Sequence, residues 1–119
     1  MKTQIKLNKL DRENILTNAE VYSCIGYWVE EFINVKYSDI NKPNYRMLSM
    51  RVKLGESAQE GLVGRIVTID HKTIQKGINV LFAQEGYEYI KSAVIENNHD
   101  IESTDVIIQF GIFGEQIYA

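Results

Sequence analysis

The residue types best suited to chemistry lie in two stretches that are far apart in the chain. The first is YSCIGYWVEEF, residues 22–32, which contains the only cysteine and the only tryptophan of the protein. The second is DVIIQFGIF, residues 105–113, in which Asp105 and Gln109 are four positions apart. Aromatic rings can stack on a planar ligand, and carboxylate or amide groups can bind its polar edges. These residues therefore indicate either a binding site or a polar cluster inside the core.

The spacing of the potential catalytic residues does not match a metal site or a nucleophilic active site. His71 and His99 are 28 positions apart, and one cysteine cannot complete the usual zinc ligand patterns. Nothing in the sequence pairs Cys24 with a histidine, and the Gly-Ile-Phe-Gly stretch near the C-terminus does not lie between a strand and a helix. We therefore predict a non-enzymatic protein without a metal or a cofactor. A small hydrolase with Asp105 or Glu115 as the general base is the weakest alternative.

Length and composition predict one globular domain over residues 1–119. Hydrophobic residues make up 45% of the 119 positions and charged residues 24%, which is ordinary for a folded domain. The chain has no apolar leader at its start and no continuous apolar stretch of about 18 residues. We therefore predict a cytoplasmic protein with no membrane partner.

The charges are distributed unevenly along the chain. The net charge is −3, which argues against general nucleic-acid binding. Residues 1–84 contain 12 basic and 9 acidic side chains, whereas residues 85–119 contain 1 and 7. This asymmetry could steer a partner or help subunits to dock, although an acidic helix surface near a chain end is also common without either role.

Hydrophobic periodicity predicts the elements of the first half of the chain. Weak alternation predicts a short strand over residues 3–8, and helical spacing from Asp11 predicts a helix that ends near Gly26. Three further strands follow from period-two alternation and β-rich composition: residues 28–37, 47–54 and 62–70.

After Asp70 the period changes from that of a strand to that of a helix. Asp70 is a suitable N-cap for a helix over residues 71–84. The Glu85-Gly86 break separates it from a second helix over 87–98, and a third begins around Ser103 and ends near residue 113. The resulting order, β-α-β-β-β-α-α-α, predicts an α+β fold in which helices cover one face of a small, mostly antiparallel sheet.

Alternation assigns the strand residues to two faces of that sheet. The predicted core face consists of Val29, Ile33, Val35 and Tyr37 from one strand and Leu48, Met50, Val52 and Leu54 from the next. The opposite face then consists of Trp28, Glu30, Phe32, Asn34 and Lys36, with Ser49, Arg51 and Lys53 beside them. Exposed aromatic residues on such a face indicate a subunit contact or a ligand surface, unless another segment covers them. We therefore expect a homo-oligomer.

Three motifs resemble those of a family of small bacteriophage and prophage proteins without an established activity. They are IGYW, IDHKTIQKGINVL and the terminal DVIIQFGIFGEQIYA. The resemblance covers roughly residues 14–119, with a loose middle, and departs from the family at Tyr22-Ser23-Cys24 and at Ala119. It implies a phage setting but no particular mechanism. The matching residues are Gly26, Tyr27, Trp28, Gly77, Asp105, Gln109, Phe113, Gly114, Glu115 and Tyr118.

Two functions follow as expectations. In the first, the protein counters a host defence by sequestering a nucleotide-type immune signal, with aromatic residues on the base and basic residues on the phosphate. The residues predicted for this site are Tyr27, Trp28, Phe32, Arg51, Lys53, Arg65, Gln109 and Glu115. In the second, it inhibits a host defence or replication protein through the same face or through the acidic C-terminal portion.

The two functions require different surfaces. Nucleotide binding requires a pocket lined by basic groups near Trp28, whereas a protein inhibitor requires a broad, flat patch. Gln109 also has a purely structural alternative, in which it bonds to the backbone near Gly26 and holds the turn before Trp28.

Overall fold

The computed structural model describes residues 15–16, 24–38, 41–42, 47–55, 61–96 and 101–118. Within these ranges an antiparallel sheet with the strand order β1-β2-β3 is followed by three helices that pack against it, which confirms the predicted α+β fold. The elements are β1 (Val29–Tyr37), β2 (Met47–Leu54), β3 (Ile66–Asp70), α1 (His71–Ala83), α2 (Glu88–Ile95) and α3 (Ile101–Phe113).

Two predicted elements precede β1. The predicted strand at 3–8 lies outside the described residues. Of the predicted helix between Asp11 and Gly26, the described residues include Ile15 and Leu16, which are helical and fully buried. Residues 24–28 form a turn that leads into β1, so any helix has ended before Gly26.

The change of period at Asp70 has a local cause. The Asp70 carboxylate accepts hydrogen bonds from the backbone N–H groups of Lys72 and Thr73, both at 3.0 Å. The Thr73 hydroxyl accepts in return from the Asp70 backbone N–H at 3.2 Å. This capping box satisfies N–H groups that a helix start leaves without partners, and it begins α1 immediately after β3.

Irregular pairing between β1 and β2 changes which residues face the core. Val29 pairs with Leu54 but Glu31 pairs with Lys53, so β1 carries one extra residue there. A one-residue bulge reverses the side on which every later side chain lies. Phe32 therefore pairs with buried Val52 and packs on the core.

The faces predicted for Phe32 and Ile33 are therefore wrong, because Ile33 pairs with the exposed Arg51. A second extra residue follows in β1, where Asn34 adopts φ 49°, and Val35 and Tyr37 return to the core as predicted. Leu48 is exposed because the strand irregularity between Lys36 and Tyr37 leaves it out of the ladder.

The core lies between the sheet and the helices. It consists of one face of β2 and β3, the apolar stripe of α1, and α3, which is buried on all sides from Ser103 to Gly111. Its fully buried members from these elements are Met47, Met50, Val52, Leu54, Ile69, Ile74, Ile78, Leu81, Ile107, Ile108 and Phe110.

Helices α1 and α3 cross at two glycines. A Cβ atom added to Gly77 would overlap the carbonyl oxygen of Ile107, and one added to Gly111 would overlap the carbonyl oxygen of Thr73. The two backbones therefore approach more closely than any residue with a side chain would allow. Because the opposing atoms belong to the backbone, a rotamer change cannot relieve the overlap.

We expect Gly77→Ala and Gly111→Ala each to lower the free energy of unfolding by about 1–3 kcal/mol or more, because the helices must separate. Chemical denaturation measures this loss. Gly55→Ala is the matched control, since the nearest atom to its Cβ would lie at an ordinary 3.5 Å. Equal effects at all three positions would contradict the close crossing.

Candidate functional site

Trp28 lies inside the core, so the prediction that it stands on an open sheet face is wrong. It is 0% exposed and belongs to the turn before β1. Its indole ring stacks on the ring of Tyr118, with centroids 5.3 Å apart and planes 2° apart. Phe113 contacts the same ring edge-on at 6.0 Å. The strand alternation does not extend back to Trp28, because pairing with β2 begins at Val29.

Asp105 joins the Tyr27-Trp28 pair to α3. The Trp28 indole N–H donates to Asp105 Oδ1 at 2.9 Å, and the Tyr27 hydroxyl donates to Asp105 Oδ2. The carboxyl group is only 8% exposed, and both of its oxygens accept from side chains. Tyr27 is itself half-exposed, so this pair of hydrogen bonds links a surface residue and a buried one to the same carboxyl group.

Gln109 joins the same carboxyl group to the C-terminal segment. Its amide nitrogen donates to Asp105 Oδ1 at 3.0 Å and to the carbonyl oxygen of Tyr118 at 3.2 Å, and it lies 3.3 Å from the Tyr27 hydroxyl. Its amide oxygen accepts from the backbone N–H groups of Ile117 and Tyr118 at 2.9 and 2.8 Å. Gln109 thus has the structural role that the sequence favoured, but with residues 117–118 instead of the backbone near Gly26.

We call this cluster of Tyr27, Trp28, Asp105, Gln109 and Tyr118 the polar junction. Burial raises the pKa of the Asp105 carboxyl group, and the hydrogen bonds from Tyr27, Gln109 and Trp28 only partly oppose that shift. Burial and the adjacent Asp105 also raise the pKa of Tyr27 far above its ordinary value. Tyr27 therefore stays protonated and keeps donating to Asp105 at neutral pH.

The polar junction holds three segments together and has little room for a substrate at the carboxylate. Each oxygen of Asp105 is bound, and the ring of Trp28 is enclosed by Tyr118 and Phe113. Most of the motif residues that resemble the phage family meet at this one place. The motif residues that meet there therefore have a structural role, because they join the turn before β1, α3 and the C-terminal segment.

A second region lies on the opposite side of the sheet. We call it the outer sheet face. The register places its residues in cross-strand rows: Ile33 with Arg51 and Thr68, Glu31 with Lys53 and Ile66, and Lys36 with Ser49 and Asp70. Residues opposite one another in an antiparallel ladder share a side, so these nine side chains form one continuous surface.

The outer sheet face combines basic and apolar groups. Lys36 and Arg51 are exposed, and Ile66 is 47% exposed. Lys53 lies 3.6 Å from the carboxylate of Glu30, a half-exposed pair that contributes little to stability. The surface therefore offers Lys36 and Arg51 as exposed cations, exposed Glu31 as an acidic neighbour, and exposed Ile66 near half-buried Ile33.

The structure divides the predicted site residues between separate regions. Arg51 and Lys53 lie on the outer sheet face, whereas Trp28 and Gln109 are buried on the core side. Phe32 packs partly against the core. The remaining three are on the surface: Tyr27 at the polar junction, Arg65 in the turn before β3 and Glu115 after α3.

Sequence reasoning missed Ile33 and Ile66 as neighbours of Arg51 and Lys53 on the outer sheet face. Alternation assigned Ile33 to the core face. Ile66 lay in a predicted strand whose residues were not assigned to either face of the sheet. The bulge between Val29 and Glu31, which decides the side of Ile33, leaves no local mark in the sequence. The second irregularity does leave one, because an asparagine is suited to the positive φ at position 34.

Comparison of the chain with protein-family models, with curated proteins and with solved structures gives no match. The resemblance to phage proteins therefore stays a prediction. No helix among the described residues is long and apolar enough to cross a membrane. In the same residues, histidine, cysteine and acidic side chains do not gather in threes as metal ligands would.

We expect Asp105→Ala to lower the free energy of unfolding by about 1–3 kcal/mol, because the buried Trp28 N–H loses its acceptor. Asp105→Asn keeps an oxygen that can accept from that N–H, so it should lower the free energy of unfolding by a smaller amount. Exposed Glu102 lies on the same helix, so Glu102→Ala is the control. Denaturant titrations compare the variants, and an Asp105→Ala protein as stable as the control would refute the role of the carboxylate.

The raised pKa of Asp105 predicts a pH dependence with an unusual sign. Because the folded state holds this proton more tightly than the unfolded state, the contribution of Asp105 is most favourable below its ordinary pKa. It is lost as the pH rises through the raised value. The stability of the wild type minus that of Asp105→Asn should therefore fall as the pH rises above the ordinary aspartate pKa of about 4. A difference that rises with pH would contradict the burial of the charge.

Proposed function

We propose that this protein is a non-enzymatic binding protein whose outer sheet face attaches to a partner protein, with the exposed Arg51 against an acidic group of that partner. The observation that carries the proposal is the row in which exposed Arg51 lies between half-buried Ile33 and exposed Thr68, with Lys53 and Ile66 beside it. Interfaces of this kind combine an apolar centre with charged groups that select a complementary partner.

The geometry supports a protein partner better than a nucleotide. Sequestration of a nucleotide-type signal would require an aromatic ring and a cationic group on the same side of a site. Arg51 and Lys53 lie on the opposite side of the sheet from Trp28, whose ring is already stacked on Tyr118. The nine side chains of the outer sheet face come from three strands, and an area of that extent suits a protein surface better than one small ligand.

The resemblance to phage and prophage proteins supplies the setting for this proposal. In that setting the partner is a host defence or replication protein in the bacterial cytoplasm. The protein then acts by covering a surface of the partner, and it needs no cofactor or catalytic residue for this.

A photo-crosslinking amino acid at Thr68, on the outer sheet face, tests the proposal in bacterial cells. The control position is Lys76, which is exposed on α1. We expect a covalent adduct with a particular protein from position 68 and not from position 76. Arg51→Glu should abolish the adduct. Adducts of equal yield from both positions would contradict the proposed face.

With that partner purified, we expect Arg51→Glu to weaken binding at least about tenfold, because it places like charges in contact. Lys76→Glu makes the same change of charge away from the face and should leave the affinity unchanged. Calorimetry measures the affinities of the wild type and of Arg51→Glu at low and at high salt. Because salt screens charge–charge interactions, the difference between the two proteins should be smaller at high salt. Equal losses in the two variants would refute a specific role for Arg51.

The nucleotide alternative has its own measurement. Trp28 is the only tryptophan and is enclosed, so its emission should stay unchanged when cyclic dinucleotides and ADP-ribose compounds are titrated. Calorimetry should show no heat of binding. Quenching with micromolar affinity that Arg51→Ala weakens would overturn the protein-partner proposal in favour of sequestration.

A further inference from the structure

Residues 114–118, which follow α3, lie on the core without belonging to a helix or a strand. We call them the strap. Gly114 begins the strap with a positive φ of 75°. Within the described part of the chain, the backbone of residues 115–118 makes no hydrogen bond to another backbone group. Side chains alone therefore hold the strap in place.

Gln109 supplies most of the hydrogen bonds that the strap receives. Its amide oxygen accepts from the backbone N–H groups of Ile117 and Tyr118, and its nitrogen donates to the carbonyl oxygen of Tyr118. A further bond, from the Tyr87 hydroxyl to the side-chain oxygen of Gln116, is exposed to solvent. Gln109 thus binds backbone groups, which almost every extended peptide can offer. These bonds do not select the sequence of the strap.

The ring of Tyr118 fills a slot between two other aromatic rings. It stacks on Trp28 with centroids 5.3 Å apart, and Phe113 meets it edge-on at 5.8 Å. The Tyr118 hydroxyl is buried and has no hydrogen-bond partner among the described residues. Burial of a hydroxyl without a partner is unfavourable, because water would have bonded to it. The slot therefore suits an aromatic ring but not the hydroxyl that Tyr118 brings.

We infer that the strap opens while the rest of the fold stays closed, and that an extended segment of a partner protein, with phenylalanine in the position of Tyr118, binds in its place. Phenylalanine fills the slot between Trp28 and Phe113 and has no hydroxyl to bury. The backbone of the segment bonds to Gln109 as the strap does. This advantage partly offsets the high effective concentration that the strap has because it is attached to the chain.

The slot lies on the core side of the sheet, away from the outer sheet face, so this inference does not rest on the proposed function. The strap covers Trp28, which is 0% exposed. The homo-oligomer predicted from an exposed Trp28 loses that support. Because Trp28 is the only tryptophan, its fluorescence reports whether the slot is filled.

Hydrogen exchange in the wild type measures whether the strap opens by itself. After correction for intrinsic rates, the N–H groups of Ile117 and Tyr118 should exchange at least about tenfold faster than that of Ile107 within α3, because only the strap must open. Tyr118→Phe should slow the exchange at position 117 by at least about fivefold, since the closed strap no longer buries an unpartnered hydroxyl. Equal corrected rates at Ile117 and Ile107 in the wild type would overturn the inference.

Titration of the Tyr118→Ala protein tests the occupant, because its slot contains no ring. The probe is the peptide Gly-Glu-Gln-Ile-Phe with blocked ends, and the controls carry tyrosine or alanine in the last position. We expect the phenylalanine peptide to return the Trp28 emission to that of the wild type. It should bind at least about fivefold more tightly than the tyrosine peptide, and the alanine peptide should not bind. The wild type should bind each peptide more weakly, because its own strap competes.

Circular dichroism must show that Tyr118→Ala is folded. An unfolded variant would overturn the inference, because the strap would then be essential to the fold. The same holds if none of the peptides binds, or if the alanine peptide binds as tightly as the phenylalanine peptide. Wild-type dimers that Tyr118→Ala abolishes would overturn it by assigning the slot to the strap of a second copy. None of these outcomes involves Arg51, so each leaves the proposal for the outer sheet face intact.

Discussion

The carboxyl group of Asp105 is the constraint on which the arrangement of this protein depends. It receives the side chains of Tyr27 and Trp28 from the turn before β1, and Gln109 links it to the backbone of residues 117–118. A buried carboxyl group without such donors would be strongly unfavourable. The turn, α3 and the C-terminal segment therefore have to meet at one place.

The position of α3 is fixed from its other side by the crossing with α1. Gly77 and Gly111 let the two backbones touch, so α3 lies deep enough to be buried nearly all around. This depth is what brings Asp105 and Gln109 to Trp28. Close packing at the glycines and hydrogen bonding at Asp105 thus support the same placement of one helix.

The contrast between the two sides of the sheet bears on function. On the core side, the rings of Trp28, Phe113 and Tyr118 pack against one another. On the outer side, charged residues alternate with isoleucines and no described helix packs there. Aromatic residues that were predicted to form a binding surface stabilise the fold instead, whereas Lys36 and Arg51 are exposed on the outer side of the sheet.

Local patterns in the sequence were sufficient to predict the α+β class, the alternation of most of β2 and the start of α1 at Asp70. Each of these features depends on residues that are neighbours in the chain. The four-residue spacing of Asp105 and Gln109 also indicated a shared helix face. Tertiary structure alone decided that Trp28 is buried and that Phe32 and Ile33 exchange sides. The indole partner lies 77 positions away, and the bulge depends on how β1 pairs with β2.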